Sequence, residues 1–493
     1  MKPEASSQKP EAARNASSRI WLQATSYRLQ AGVTVMLVLV FMGIFVLILG
    51  GLSGYVFTES KIGRSTLARE KAFEAAEAGL EYYRWFLAHN PGNTTNGTGG
   101  AGPYVQSLED TNGETVAEYA LTVNGNLSCG QLQSIDITSR GTAMSDPSFA
   151  RTLHARYAKP SVAEYAYIVN DSVWAGADRI ITGPYHVNGG IRMDGTNNST
   201  VSSSVNTWTC TASFGCSPSQ QQPGVFGIGS GSAYWDYPVP QVDFVGLTSD
   251  FTALKNLAIA QGRYIGSNSS AQRGYHIFLR SNDTFDMYEV LNTSSAQSIH
   301  VDNLSSWQTD YDTITSEVWR GTYTIPSGCR LIFVEGKVWL EGVVASKLAF
   351  VAAHISTSYA PDILLNNNIT YTTADGSVGL TAIAEGNVRF PLRVPSTMTV
   401  RGIFIAQTGY YGRNLYTCTY APWDKRTSLS VIGTVVSNER VGTRWTYSTG
   451  SCGSNWSGFN TRTDSYDKVL AQTPPPFTPS YSLDSEFVLW EEE

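Results

Sequence analysis

Gly32-Val-Thr-Val-Met-Leu-Val-Leu-Val-Phe-Met-Gly-Ile-Phe-Val-Leu-Ile-Leu-Gly-Gly-Leu-Ser-Gly-Tyr-Val-Phe57 is a long uncharged run, and its reading decides how the rest of the chain is understood. A helix needs roughly 20 apolar residues to cross the hydrocarbon core of a bilayer, and this run exceeds that. It is too long for the apolar region of an ordinary secretory signal, and no small-x-small cleavage site closes it. A second helical pattern follows directly. Leu67, Ala72, Phe73, Ala76, Leu80, Tyr83 and Leu87 recur at helical spacing, with Arg69, Glu70, Glu74, Glu77, Glu81 and Arg84 interleaved. Residues 33–57 are therefore expected to form a transmembrane helix and residues 58–90 an amphipathic continuation, stopped near His89 by Asn90-Pro91-Gly92. Gly50, Gly51, Gly54 and Gly63 are places where such a rod can bend or loosen.

The flanks of the run carry basic residues on both sides: Arg14, Arg19 and Arg28 before it, Lys61, Arg64, Arg69 and Lys71 after it. Counting them does not orient the span. The long carboxyl side holds all six cysteines, and long domains translocate despite flanking charge. The expected topology is single-pass, with the amino terminus cytoplasmic and the bulk extracytoplasmic. Residues 1–32 read as a polar, disordered leader.

The chain has 493 residues and a net charge of −7, and only 15% of its residues are charged, so a large weakly charged domain lies outside the membrane. No global basic bias supports nucleic-acid binding, although a local patch can hide in the sum. Six cysteines allow 15 pairings. Short loops favour Cys210 with Cys216 and Cys418 with Cys452, leaving Cys129 with Cys329. Free buried thiols are the alternative, and no Cys or His spacing suggests zinc.

Three strand-like runs begin at Thr115, Ser134 and Ala150 and end at Val123, Ser139 and Ala158, separated by turn-rich stretches. An antiparallel sheet over residues 91–158, packed on the preceding helix, is the expected outcome. From residue 159 to 473 the texture becomes short strands punctuated by glycine. Gly176, Gly183 and Gly190 recur at a constant interval. Glu335-Gly-Lys-Val-Trp-Leu resembles Glu385-Gly-Asn-Val-Arg-Phe, and Val400-Arg-Gly-Ile-Phe-Ile resembles Val431-Ile-Gly-Thr-Val-Val. The fold class is thus mainly β with one long amino-terminal helix. The large β domain reads as a parallel β-helix or solenoid, with an irregular β-sandwich as the alternative. A short helix is expected near residues 247–261, with Phe251, Leu254, Leu257 and Ala258 on one face, Ser249 or Thr248 as N-cap and Gly262 after its end. Residues 474–493 read as a stiff Pro474-Pro-Pro spacer and a final strand from Phe487.

Gly32 before an apolar span that begins at Val33, together with Ala72-Phe73-Glu74-Ala75-Ala76-Glu77-Ala78-Gly79, resembles the amino terminus of type IV pilins, in particular minor pilins of the PilX-type class. The resemblance covers about the first sixth of the chain. Ile137-Thr-Ser-Arg-Gly-Thr142 is a looser match to the pilin sheet. It implies a prepilin peptidase that cuts after Gly32 and leaves Val33 as a methylated amino terminus. It also implies an assembly helix that exchanges lipid for other pilin subunits on an inner-membrane platform, staying away from water in both states. Most pilins carry a glutamate at the fifth mature position, where this chain has Leu37. That departure, shared with atypical tip pseudopilins, and the bulk of the outer domain point toward a filament tip. A plain signal anchor with a chance glycine remains the alternative.

Other features carry less. Glu74, Glu77 and Glu81 read as a solvated helix face or partners of Arg84. The six histidines, His89, His154, His186, His276, His300 and His354, show no metal-binding spacing. Asp194-Gly-Thr-Asn-Asn lacks the regular acidic ligands of a calcium loop and reads as a β-turn. The Asn-x-Ser/Thr triplets at Asn197, Asn198, Asn268, Asn282 and Asn292 are expected by chance in so Asn-, Ser- and Thr-rich a chain. Trp208, Trp235, Tyr264, Tyr410, Tyr411 and Trp456 read as core aromatics or as the lining of a glycan-binding groove.

Three functions from different classes follow. The first is a non-catalytic minor pilin without cofactors, displaying the large domain for assembly priming and adhesion to a surface glycan or DNA. The second is a membrane-anchored β-helix enzyme or binding protein acting on polysaccharide. The third is an anchored envelope protein that is never cut or assembled.

Overall fold

The computed structural model describes residues 31–247, 249–268, 273–355 and 359–493. The leader as far as Gln30 and the candidate cap Thr248 lie outside the described residues. The chain divides into two compact units, the second beginning at Ala68, and α1 (Ala31–His89) belongs to both. In the first unit every residue of α1 from Gly32 to Arg64 is exposed, and Gly50, Gly51, Gly54 and Gly63 all stay helical. Leu67, expected on the packed face, is instead 50% exposed. The buried face begins one residue later.

In the second unit Ala68, Ala72, Ala75, Ala76, Leu80, Tyr83 and Leu87 form that face. Its first turns are alanine, and small side chains let a sheet approach the helix backbone. The sheet comprises β1 (Tyr104–Glu109), β2 (Thr115–Ser128), β3 (Gln131–Ala143) and β4 (Ala150–Ala158), paired antiparallel in chain order. Tyr119, Leu121, Ile135, Ile137 and Leu153 point from it toward Leu80 and Tyr83. Two further strands join these: β1, not expected from sequence, and the expected final strand. β1 alternates only between half-buried and exposed positions, so its apolar signal is weak. The last strand, Glu486–Glu492, adds to β4 and not to the large domain, and Trp490 meets Phe73 of α1 edge-on at 6.2 Å.

The large domain is built from parallel ladders. In one, Arg263–Ile265, Leu331–Val334, Lys347–Ala352, Gly379–Ala384, the second half of Thr397–Ala406 and the end of Lys425–Ser437 pair in succession. The ladder then continues through Tyr167–Val169, Tyr185–Val187, Val201–Ser203 and Trp235–Asp236. The chain thus enters mid-ladder at Tyr167, builds to one end at Asp236, and resumes from the opposite end at Arg263. The connecting segment spans the distance along the ladder. Its Val242 N–H donates to Asn188 Oδ1 at 3.0 Å, its Ser249 N–H to Gln407 Oε1 at 2.9 Å, and its Lys255 Nζ to Glu335 Oε1 at 2.5 Å. The two similar segments at Val400 and Val431 lie in register, Val400 beside Val431 and Gly402 beside Gly433. Both glycines have positive φ, +155° and +130°, a turn that a side chain would strain.

Strands of this ladder are buried on both faces. Ile332, Val334, Leu348 and Phe350 face an inner core, whereas Leu331, Phe333, Ala349 and Val351 face a second core. The second core is closed by Leu254 and Ala258 of α2 (Phe251–Ala260), with Phe251 and Leu257 partly buried against it. The N-cap of α2 is Asp250, whose carboxylate accepts from Ala253 N–H. Asp250 rather than Ser249 serves because its carboxylate reaches the N3 amide, while the Ser249 backbone amide donates to Gln407 Oε1. Gly262 follows the Gln261 cap, where an added Cβ would meet the Leu331 carbonyl at 2.6 Å.

Candidate functional site: the exposed and the docked parts of the amino-terminal helix

The first part of the site is the exposed stretch of α1. Its most apolar 18-residue window has a mean hydropathy of 3.0, and none of that window is buried. Gly32, Val33 and Leu37 sit in its first turns, with Leu37 53% exposed. An added Cβ at Gly32, Gly43, Gly50, Gly51 or Gly54 meets nothing within 4 Å, so no contact within the chain demands glycine there.

The second part is the docked stretch, where glycine is demanded. Gly79 faces Tyr119, and a Cβ there would meet Tyr119 Cδ2 at 2.9 Å. Gly141 on β3 lies against the helix backbone, and a Cβ there would run into the Ala72 carbonyl and the Ala76 amide. The crossing point is thus fixed by one glycine from each element, both within segments singled out in the sequence. Phe73 is half-buried against Trp490. Glu74 and Glu77 are exposed. Arg84 pairs with the exposed Glu81 at 2.6 Å, one turn away, a contact worth little in water.

Cysteines pair as Cys210–Cys216, Cys418–Cys452 and Cys129–Cys329. The last bond joins the end of β2 to the loop before Leu331, tying the antiparallel sheet to one end of the ladder.

Ionisable groups gather elsewhere, in the large domain, where two of them, Lys337 and Arg389, sit in the similar Glu335 and Glu385 segments. A long hairpin, Thr284–Ile299 with Trp307–Thr324, sends Asp310 and Asp312 into the body. Arg389 Nε binds Asp362 at 2.7 Å, and its Nη1 binds Asp310 at 3.1 Å and also Asp312. Lys337 Nζ reaches Asp312 at 3.0 Å, and Asp310 also accepts from Ser298, Tyr416 and Asn414. Burial pushes the Asp310 carboxyl up, but Arg389, His300 and Ser298 overcome it and hold the group well below the usual carboxylate range. Burial likewise opposes the Arg389 charge, and the three carboxylates outweigh it. Every one of these charges is buried and partnered, so the cluster fastens the hairpin and offers no free acid or base. Asp310 and Asp312 share one strand, but Asp362 and Arg389 come from segments about 50 and 77 residues further on, so no spacing reveals the group.

The remaining candidates disperse. Tyr410 and Tyr411 are core residues, and Trp208 is buried beside the Cys210–Cys216 bond. Trp235, Tyr264 and Trp456 are half-buried on separate strands. The Asp194 carboxylate accepts from Trp174 Nε1 and Arg192 Nε, both at 2.8 Å, and from the Ile228 amide. Thr196–Asn197 is a short strand in a ladder with Ile180 and Ile181 rather than part of a turn. Among the described residues no group of three or more His, Cys, Asp or Glu side chains is placed to hold a metal ion.

No family model and no curated protein matches the sequence. Among solved structures, the crystal structure of the competence-associated pilin ComZ from Thermus thermophilus is similar over 86% of this chain and 97% of that one, at 15% identity and a TM-score of 0.31. A TM-score this low carries no argument about this chain.

Proposed function

We propose that this chain is a minor type IV pilin-like subunit, stored in the membrane by residues 33–57 and then assembled with other pilin subunits. The observation that supports it is the contrast within α1. Its exposed stretch buries none of its apolar side chains, while its continuation is docked on an antiparallel sheet by Gly79 and Gly141. Each large apolar side chain left in water forgoes about 1.5–3 kcal/mol, so this stretch requires lipid, and after assembly neighbouring helices, around it.

On this reading residues 1–32 are a cytoplasmic leader removed by a prepilin peptidase after Gly32, and residues 58–90 and 91–158 form the pilin-like helix and sheet. Residues 159–473 are a solenoid displayed outside, and residues 474–493 bring the last strand back to the sheet. The three disulfides fit an oxidising compartment on the carboxyl side of the membrane. Leu37 in place of the usual glutamate and the size of the outer domain favour a place at the filament tip, where the subunit primes assembly and adheres to a surface ligand. We read it as non-catalytic.

Intact mass of the protein from membranes tests the proposal. The expected chain begins at Val33, and G32V is expected to leave the leader attached. A chain that begins at Met1 both in the wild type and in G32V overturns it.

A further inference from the structure

A cavity of about 1090 Å³ lies between the antiparallel sheet, the Pro474-Pro-Pro segment and the start of the strand Lys347–Ala352. Its walls mix apolar groups, among them Leu132 and Pro475, with Ser134 and three cations, Arg156, Lys159 and Lys347. A site of this size takes an organic molecule rather than a single ion.

The charges in it do not balance. Arg156 is spent on Asp136, with Nε at 2.6 Å and Nη2 at 3.0 Å, and Asn126 fills a further position on that carboxylate at 2.9 Å. The remaining Arg156 nitrogen donates to the Gln472 carbonyl at 3.3 Å. Asp484 is the one acidic residue in the lining, against three cations. Among the described residues the half-buried Lys347 ammonium has no hydrogen-bond or ion-pair partner. Burial pushes it down, Arg156 pushes it further and Asp136 offsets only part, leaving it at about 8. Ser134 Oγ accepts from Asn126, so its hydroxyl hydrogen is free to donate into the same space. A desolvated cation facing another cation and lacking a counter-ion is unfavourable unless an anion completes it.

We infer that this cavity binds a small organic anion whose carboxylate or phosphate meets Lys347, with its body against Leu132 and Pro475. Nothing in this depends on the pilin reading, since the cavity lies wholly within the second unit.

The test uses the full chain in detergent with three probes: galacturonate for a carboxylate, glucose 6-phosphate for a phosphate, and galactose as the neutral control. Calorimetric titration is expected to show binding of at least one charged probe and none of galactose, with K347Q weakening it about tenfold or more. Should K347Q not fold, acetylation of the wild type by acetic anhydride, mapped by peptide mass, gives the same answer. The bound probe should slow acetylation at Lys347 while the exposed Lys468 reacts unchanged. Binding of galacturonate alone identifies a carboxylate ligand, and of glucose 6-phosphate alone a phosphate ligand. If millimolar concentrations of neither charged probe bind or protect Lys347, or if galactose does so equally, the inference fails. Unchanged affinity in K347Q overturns it as well.

Discussion

The antiparallel sheet and the parallel ladders hide apolar surface in opposite ways. Strand β2 alternates buried and half-buried positions over its first half, so it has one dry face and one only partly covered, and the dry face is packed against α1. Leu331–Val334 and Gly379–Ala384 are buried at every position. Both of their faces are covered, one by the inner core and the other by α2 over Leu331–Val334 and by Leu470, Pro475 and Thr478 over Gly379–Ala384. The sheet therefore depends on how closely one helix can approach. The ladders depend on whether the polar groups carried into a two-sided interior all find partners.

Removing a partner in the ladders should have the largest effect. R389Q leaves Asp310, Asp312 and Asp362 buried without their shared guanidinium. Breaking a buried ion network in this way costs about 3–5 kcal/mol. Urea unfolding of the full chain in detergent should show that loss, with the antiparallel sheet still folded. A loss below about 1 kcal/mol would mean the cluster is wetter than its burial indicates.

The bond between the two regions ranks next. Cys129 and Cys329 are 200 residues apart, against 6 for Cys210 and Cys216. On the chain-entropy account the longer loop gains more, and loss of such a bond costs about 2–5 kcal/mol. Replacing both Cys129 and Cys329 by serine should lower the unfolding midpoint more than the same change at Cys210 and Cys216. Equal effects would show that loop length is not what governs these bonds.

In the sheet the sensitive point is a missing methyl group. G141A pushes a Cβ into the Ala72 carbonyl and the Ala76 amide, backbone atoms that cannot rotate away. The expected cost is about 1–3 kcal/mol, the usual range for overpacking, and it should appear as faster proteolysis near residues 90–102 with the ladders intact. A control such as G50A, where a Cβ meets nothing, should leave proteolysis unchanged.

The same contrast explains what the sequence disclosed. One-sided elements announce themselves by period. The apolar run of α1, the helical spacing from Ala72 to Leu87 and the alternation at Tyr119, Leu121 and Val123 were all readable, and Ile137-Thr-Ser-Arg-Gly-Thr142 contains the glycine that sets the crossing. Two-sided strands have no alternation to read, so Leu331–Val334 shows only as an apolar run. The similarity of the Val400 and Val431 segments was visible because they stack in register. Chain entry at mid-ladder was not, because it depends on Tyr167 finding Val435 across nearly 270 residues. Lys347 left no trace either, since an unbalanced charge exists only once Arg156 and Asp136 are folded beside it.

The smallest expected effect tests whether charge pairing also operates at the outer face of the ladders. His276 lies between Glu317 of the hairpin, 3.0 Å from Nδ1, and Glu341 of the parallel strand Lys337–Val344, 2.6 Å from Nε2. Burial opposes its charge, but Glu341 and Glu317 overcome that and raise its pKa above the ordinary histidine value. A raised folded pKa contributes stability that is fully present below the unfolded histidine value and is lost as pH rises through the folded one. Glu341 runs the other way. Burial pushes its carboxyl up, His276 pulls it below its usual value, and its contribution is lost as pH falls through that lowered value. The urea midpoint of the wild type should therefore decline as pH rises above neutral, and H276Q should flatten that slope. A wild type and H276Q that run parallel from pH 6 to 9 would show that His276 stays neutral in the fold, and that the hairpin is held by Arg389 and its carboxylates without help from this face.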